Sequence, residues 1–229
     1  MLRSPLIVLG ALLLLPSLRA QEPPPQIVNQ VIVSVKEQKL MLLQNGAKVK
    51  TYPVSTSKFG LGDGFGTMAT PVGTMAVAQK IGDHAPLGAV FKTRRFTGEI
   101  LKPNSPGRDP ITTRILWLRG LEPSTARAFA RCIYIHGTPE EKKIGKPASY
   151  GCIRMKAQDV AALYSQLPVG ATVQVVTDKL PRVPKAKKIY EYRAPDVPQE
   201  RGRPSPFVNT PSGPNGKSAA VAVLRKGRG

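Results

Sequence analysis

The first regular pattern in the chain is an alternation of apolar and polar positions. Valine recurs at every second position from 31 to 35, as in a strand with one buried face. An apolar run over 40–43 precedes Asn45-Gly46, the strongest short hairpin signal, because both residue types accept the left-handed backbone of a type I′ turn. Alternation resumes over 48–54. The pattern predicts a meander of three short strands.

Short apolar runs further along the chain predict more strands, and one segment has helical spacing. The strand candidates are 115–118, 132–136 and 172–176. The helical face has apolar residues at i, i+3, i+4 and i+7 and is ended by a proline and a glycine: Val160, Leu163, Tyr164, Leu167, Pro168 and Gly170. Many short strands with one main helix indicate a mostly β domain.

The N-terminus has the pattern of a secretory signal peptide. Arg3 is followed by an uncharged apolar run over 6–15, and prolines and polar residues come directly after it. The run is about half the roughly 20 residues that a bilayer-spanning helix needs. We therefore predict a signal peptide over 1–20, export to the periplasm or cell wall, and no transmembrane span after cleavage. An uncleaved anchor is the alternative.

Charge divides the remaining chain into a body and a tail. The net charge is +20, from 34 basic and 14 acidic residues. Residues 178–229 hold 12 basic and 4 acidic residues and are rich in proline and glycine, which is typical of a disordered basic extension. Residues 21–177 keep 20 basic and 10 acidic residues and are long enough to form one packed domain. So basic a chain is expected to have anionic partners. Because an exported protein does not meet cellular nucleic acid, we expect the partner to be an anionic cell envelope.

The residues with nucleophilic chemistry lie close together in the sequence. His136 ends an apolar strand, and Cys152 follows 16 residues later, directly after Gly151. A thiol needs a base or a cationic neighbour, because little of it is thiolate at neutral pH. The glycine allows a tight turn whose N–H groups could face a reacting carbonyl. We also expect the N-terminus of the following helix to favour a thiolate.

The alternative to catalysis is a buried thiol and an unrelated imidazole. Two cysteines and two histidines without a Cys-x-x-Cys pair argue against a structural metal site, and we expect no metal and no organic cofactor. A disulfide between Cys132 and Cys152 is conceivable in an exported protein but would block the nucleophile. Arg94 and Arg95 are expected on a solvated surface, with an anionic substrate as the alternative partner.

The sequence around this pair resembles the L,D-transpeptidase catalytic domain, also called the YkuD family. The resemblance rests on Ile135-His136-Gly137-Thr138 and on Ser149-Tyr150-Gly151-Cys152-Ile153-Arg154-Met155. TYPVSTS at 51–57, TPVG at 70–73 and the segment from Asp159 to Val173 also resemble the family. The resemblance implies a YkuD-like β-sandwich over 27–177 with one main helix after the cysteine motif.

The resemblance also implies a role for each residue of the motif. Cys152 would be the nucleophile and His136 the general base, with the carbonyl of Gly137 orienting the imidazole. Gly151 and Cys152 would supply N–H groups to an oxyanion hole. Ser149 would support the loop.

Two further motif residues are predicted to bind substrate. Arg154 would bind a substrate carboxylate or brace the loop, and a plain salt bridge is the alternative. Tyr150 stands where the family commonly has histidine. It is assigned to substrate binding, and all base chemistry falls on His136.

The implied reaction is acyl transfer on peptidoglycan stem peptides, forming 3→3 cross-links through a Cys152 thioester. Water as acceptor would make the protein an L,D-carboxypeptidase, and a protein amine would make it a lipoprotein-attaching enzyme. A non-catalytic cell-wall binding protein with the same fold is the remaining alternative.

Overall fold

The computed structural model describes residues 27–190, and the predicted signal peptide lies outside them. The strands are Asn29–Ser34 (β1), Lys39–Gln44 (β2), Ala47–Pro53 (β3), Gly73–Ile81 (β4), Ala89–Lys92 (β5), Arg95–Ile100 (β6), Ile111–Gly120 (β7), Tyr134–Gly137 (β8), Ile153–Met155 (β9) and Thr172–Val176 (β10). The α-helix is Ala157–Gln166 (α1), and short 3₁₀ turns cover Pro123–Thr125 and Glu141–Lys143. The predicted mostly β class with one main helix is confirmed.

All ten strands belong to one hydrogen-bonded sheet. Its main path runs β3-β2-β1-β10-β4-β7-β5-β6, and β8 and β9 branch from β7. The predicted meander is β1–β3, antiparallel throughout, and Asn45 and Gly46 both have the positive φ of a type I′ turn. The pairings β1–β10 and β8–β9 are parallel, so they join segments far apart in the chain.

Strands β7 and β8 are buried on both faces, which explains their nearly continuous apolar sequences. Alternate residues enter two different clusters. Leu116 and Ile135 belong to the main core, which also contains the apolar face of α1. Ile115 and Tyr134 belong to a smaller cluster, against which both cysteines pack. The two clusters hold β8 rigidly between them.

The beginning of the predicted tail is bound to the sheet. Lys48 N–H donates to Pro184 O at 2.7 Å, and Ala186 N–H donates to Lys48 O at 2.9 Å. Tyr190 N–H donates to Gln44 Oε1 at 2.7 Å. Residues 178–190 therefore cover the β3 edge. Their composition had instead predicted a disordered extension. Residues 191–229 of that predicted tail lie outside the described residues.

Candidate active site

The site forms where β8 and β9 run side by side. Ile135 pairs with Ile153 in parallel register, and His136 pairs with Arg154. Cys152 directly precedes β9 and therefore lies beside Tyr134, two residues before His136. The predicted base thus lies in β8, and the predicted nucleophile directly precedes the strand paired with it, two register positions away.

The backbone of β8 and of the turn before it surrounds the Cys152 sulfur. Tyr134 N–H donates to Sγ at 3.4 Å, and Sγ donates to the carbonyl oxygen of Cys132 at 3.4 Å. Burial raises the pKa of the Cys152 thiol to about 11, against the lowering effect of the Tyr134 N–H. The resting side chain is therefore a neutral thiol at pH 7. Both cysteines are free thiols, so they form no disulfide with each other.

The His136 imidazole is fixed in one tautomer. Its Nδ1 lies 2.7 Å from Gly137 O, and a carbonyl oxygen can only accept, so Nδ1 carries the proton. Nε2 therefore keeps its lone pair. The side chain is only 5% exposed, and this burial lowers the pKa of His136 to about 4. The histidine is thus a neutral base with its free nitrogen directed away from Gly137.

The cysteine loop is held by bonds from two sides. Ser149 Oγ donates to Cys152 O at 2.6 Å and accepts the Gly151 N–H at 3.3 Å. Thr70 Oγ1 donates to Gly151 O at 3.0 Å and accepts Ser57 N–H at 2.9 Å. Because Gly151 has a φ of +119°, the loop uses a backbone conformation that other residues rarely adopt.

The same bonds orient the peptide between Gly151 and Cys152. Its carbonyl faces Thr70, so its N–H lies in the same peptide plane and points in the opposite direction, away from Thr70. No acceptor within residues 27–190 takes the Cys152 N–H. The Gly151 N–H, in contrast, is already used by Ser149, so Cys152 N–H is the better placed oxyanion donor of the two predicted.

Arg154 lies behind the site and not at its surface. It is 2% exposed, and its Nη1 donates to carboxylate oxygens of Asp109 and Glu140. Asp109 also accepts a hydrogen bond from Thr138 Oγ1, directly after β8. These contacts favour the bracing role over substrate binding, because two half-buried carboxylates already neutralise the guanidinium.

Tyr150 lies on the surface beside the loop. Its side chain is 58% exposed, its ring centroid is 5.5 Å from that of Phe59, and Lys58 Nζ donates to its hydroxyl at 3.3 Å. The predicted substrate-binding role of Tyr150 stays a prediction.

The expectation that a helix N-terminus lies next to Cys152 is wrong. Strand β9 separates the cysteine from α1, which begins only at Ala157. The Ala157 N–H is also taken by Glu141 Oε1 at 2.8 Å. Any stabilisation of a thiolate must therefore come from Tyr134 N–H and from nearby cations.

A protein-family comparison matches residues 29–175 to the model of YkuD, the L,D-transpeptidase catalytic domain. The chain belongs to this family. The match covers more than half of the sequence and includes the helix and every strand described above, except for the last residue of β10. The resemblance noted in the sequence is confirmed.

Curated relatives carry the same family name. YqjB of Bacillus subtilis (strain 168), named among the L,D-transpeptidases, is 46% identical over 44 residues, covering 19% of this chain and 25% of YqjB. ORF 5 of the ATP synthase subunits region of Fuscovulum blasticum, also named so, is 34% identical over 76 residues, covering 33% of this chain and 35% of that relative. The chain thus matches only about a quarter to a third of their length.

Solved structures of L,D-transpeptidases are also similar to this YkuD domain. The enzyme from Mycobacterium smegmatis is 19% identical, with a TM-score of 0.43 over 66% of this chain and 59% of that one. The enzyme from Xylanimonas cellulosilytica DSM 15894 is 18% identical, with a TM-score of 0.43 over 67% and 63%.

Sequence reasoning missed several residues of this YkuD site. Tyr134 could have been found, since it lies two residues before His136 on the same strand face. Thr70 was noted only as part of the TPVG segment at 70–73, and Asp109 had no signal beyond a proline-rich segment. Within residues 27–190, no three His, Cys, Asp or Glu side chains come together as a metal site requires.

Proposed function

We propose that this chain is an exported cysteine L,D-transpeptidase that acts on peptidoglycan stem peptides. The observation that carries the proposal is the fixed tautomer of His136, whose Nε2 is left as a base on the strand adjacent to Cys152. Family membership supplies the reaction class.

The first half-reaction forms a thioester. Cys152 Sγ attacks the carbonyl carbon at the L-centre of the third residue of the donor stem, and its proton passes to His136 Nε2. The Cys152 N–H stabilises the oxyanion. The C–N bond to the terminal D-alanine then breaks, and the imidazolium returns its proton to the leaving amine. Because both groups rest in their neutral forms, proton transfer accompanies attack.

The second half-reaction releases the acyl group. An amine of a neighbouring stem attacks the thioester and loses its proton to Nε2, which gives a 3→3 cross-link and restores the thiol. Water as nucleophile would give a tripeptide by L,D-carboxypeptidase activity. An amine of a lipoprotein as nucleophile would attach that lipoprotein to the donor stem.

Mass spectrometry of muropeptides incubated with the purified chain tests this proposal. A tetrapeptide donor should yield a cross-linked dimer, or a tripeptide if water is the acceptor. Cys152→Ala should abolish both products, while Cys132→Ala, at the neighbouring thiol, should retain them. Product formation by Cys152→Ala would refute the thioester. Wall binding without turnover by the unchanged chain would favour a non-catalytic binding protein.

Export and envelope binding are tested separately. A mature N-terminus near Gln21 would support the signal peptide over 1–20, and an intact Met1 would contradict it. None of the helices within residues 27–190 is long and apolar enough to span a membrane. Deleting 191–229, which keeps the edge-covering residues 178–190, should weaken sedimentation with cell walls at low salt if the tail is an envelope tether.

A further inference from the structure

The hairpin between β5 and β6 has an unusual turn. Thr93 and Arg94 have φ values of +48° and +64°, the pattern of a type I′ turn, which normally takes asparagine and glycine. A threonine and an arginine are strained in this conformation. In this turn, the Arg94 side chain makes several contacts with other parts of the domain.

The guanidinium of Arg94 is held by an aromatic group and by two polar atoms. It lies 4.6 Å from the ring centroid of Trp117, which in turn stacks on Phe129 at 4.1 Å. Nη1 lies 3.5 Å from the Tyr134 hydroxyl and 3.9 Å from the Cys132 sulfur. The side chain is half-buried, so part of its donor edge remains open to solvent.

These two polar contacts connect Arg94 to the residues that surround the nucleophile. Tyr134 and Cys132 are the same residues whose backbone N–H and C=O contact Cys152 Sγ, each at 3.4 Å. A single residue, either Tyr134 or Cys132, therefore lies between Arg94 and the attacking sulfur. Arg94 belongs to a hairpin that packs over the smaller apolar cluster.

The charge of Arg94 has no carboxylate partner in the described chain. Arg108, Arg131 and Arg154 each form an ion pair, whereas no ion pair over residues 27–190 includes Arg94. Its contacts are a phenol, a thiol and an indole face, all uncharged. A planar guanidinium with free donors is suited to a carboxylate, which it can bind through two hydrogen bonds.

We propose that Arg94 binds a carboxylate of the acyl donor beside Cys152 and so determines which peptides acylate the enzyme. The carboxylate is either that of the terminal residue that leaves or one on the side chain of the residue under attack. The peptide part of this inference rests on the proposed function. The affinity for a carboxylate at the sulfur does not.

Alkylation of Cys152 tests the carboxylate preference without any peptide. Iodoacetate carries a carboxylate and iodoacetamide does not; with either reagent the S–C bond forms, the C–I bond breaks, iodide leaves and the thiol proton passes to solvent. Rates at Cys152 alone are read by peptide mapping. Arg94→Gln should lower the iodoacetate-to-iodoacetamide rate ratio about tenfold, the effect of one charge-assisted hydrogen bond.

Two matched variants control this measurement. Arg94→Lys keeps the charge and should restore part of the ratio. Arg95→Gln removes the same charge from the exposed neighbouring position and should leave the ratio unchanged. An unchanged ratio in Arg94→Gln, with an unfolding midpoint equal to that of the unchanged chain, would overturn the proposal.

Donor peptides then identify the carboxylate. With a tetrapeptide donor, Arg94→Gln should raise KM more than it lowers kcat. Amidation of the recognised carboxylate should raise KM in the unchanged chain and have no further effect in Arg94→Gln. Separate donors amidated at the terminal residue and at the side chain distinguish the two sources. If no donor turns over but the alkylation ratio still depends on Arg94, the proposed function fails and the carboxylate site stands.

Discussion

The Cys152 sulfur donates its hydrogen bond to the carbonyl oxygen of Cys132, at 3.4 Å, and not to His136. The carbonyl is available because Cys132 has a φ of +56°. Cys132 N–H bonds to Phe129 O and Ile133 N–H bonds to Ala128 O, which is the Schellman arrangement with a cysteine where glycine is usual. The thiol is therefore held in a resting contact that attack on a substrate must break.

Alkylation of Cys152 should follow a high pKa. Burial raises that pKa to about 11, so the rate constant with neutral iodoacetamide should rise steadily from pH 7 to above pH 10. A pH titration read by peptide mapping at Cys152 checks this. A midpoint below pH 8 would instead indicate a thiolate–imidazolium pair in the resting enzyme. Electrostatic repulsion from the nearby Cys132 thiol also raises the Cys152 pKa, so Cys132→Ala should shift the profile to lower pH.

The stability of the domain should fall between pH 6.5 and pH 4. The folded pKa of His136 is lowered to about 4 from its ordinary value of 6.5, so in this window the unfolded chain binds a proton that the folded chain does not. The contribution of His136 to the free energy of unfolding should drop by up to about 3 kcal/mol as the pH falls and should be fully lost near pH 4.

Urea unfolding at a series of pH values measures how the free energy of unfolding depends on pH. His136→Gln, whose amide can still donate to Gly137 O, should make this dependence weaker. His84→Gln, a substitution of the exposed histidine, should retain it. An equal slope in His136→Gln and the unchanged chain would contradict the burial of a neutral imidazole.

Position 132 should prefer glycine to alanine. Both substitutions remove the thiol, but only glycine adopts a φ of +56° without strain, so Cys132→Gly should be more stable than Cys132→Ala by about 1 kcal/mol. Thermal unfolding of the two variants measures the difference. If the alanine variant were instead more stable than the glycine variant, the turn would have to relax when the cysteine side chain is removed.

Much of the fold could be predicted because its signals are local. The type I′ turn at Asn45-Gly46 and the apolar face of α1 are written in short windows of sequence. The β5–β6 hairpin was missed because its turn residues, Thr93 and Arg94, are not those that a type I′ turn favours. Strand β9 was missed because it has three residues and exists only by parallel pairing with β8.

The site shows the same division between local and distant information. The motif around Cys152 and the strand end at His136 could be found from residue types and spacing. Their supporting partners could not, because Thr70 and Asp109 are brought to the site by the sheet and not by the sequence. The neutral state of the pair is likewise a consequence of burial.

Thr70→Val should damage the cysteine loop. The substitution keeps the shape of a fully buried side chain but leaves Ser57 N–H without an acceptor and Gly151 O without a donor. The loss of stability should be about 1–3 kcal/mol, and turnover should fall because the Cys152 N–H is no longer oriented. Thr67→Val, three residues earlier in the segment between β3 and β4, is the matched control: it removes an exposed hydrogen bond to Gly64 O and a long one from Ala69 N–H, so it should cost less stability and leave turnover unchanged. Equal turnover in the two variants would argue against this role for Thr70.

A buried ion pair holds the glycine-rich loop over 60–66 to the turn before β8. Arg131 Nη1 lies 3.0 Å from Asp63 Oδ1, both side chains are 6% exposed, and Arg131 Nη2 donates to Ala69 O at 2.7 Å. Asp63→Asn would leave the guanidinium buried without its counter-charge, so the domain should lose about 3 kcal/mol of stability. Glu99→Gln, which breaks the exposed pair with Arg108, should cost less than about 1 kcal/mol. Denaturant unfolding compares the two, and equal costs would mean that the loop is not held by this pair.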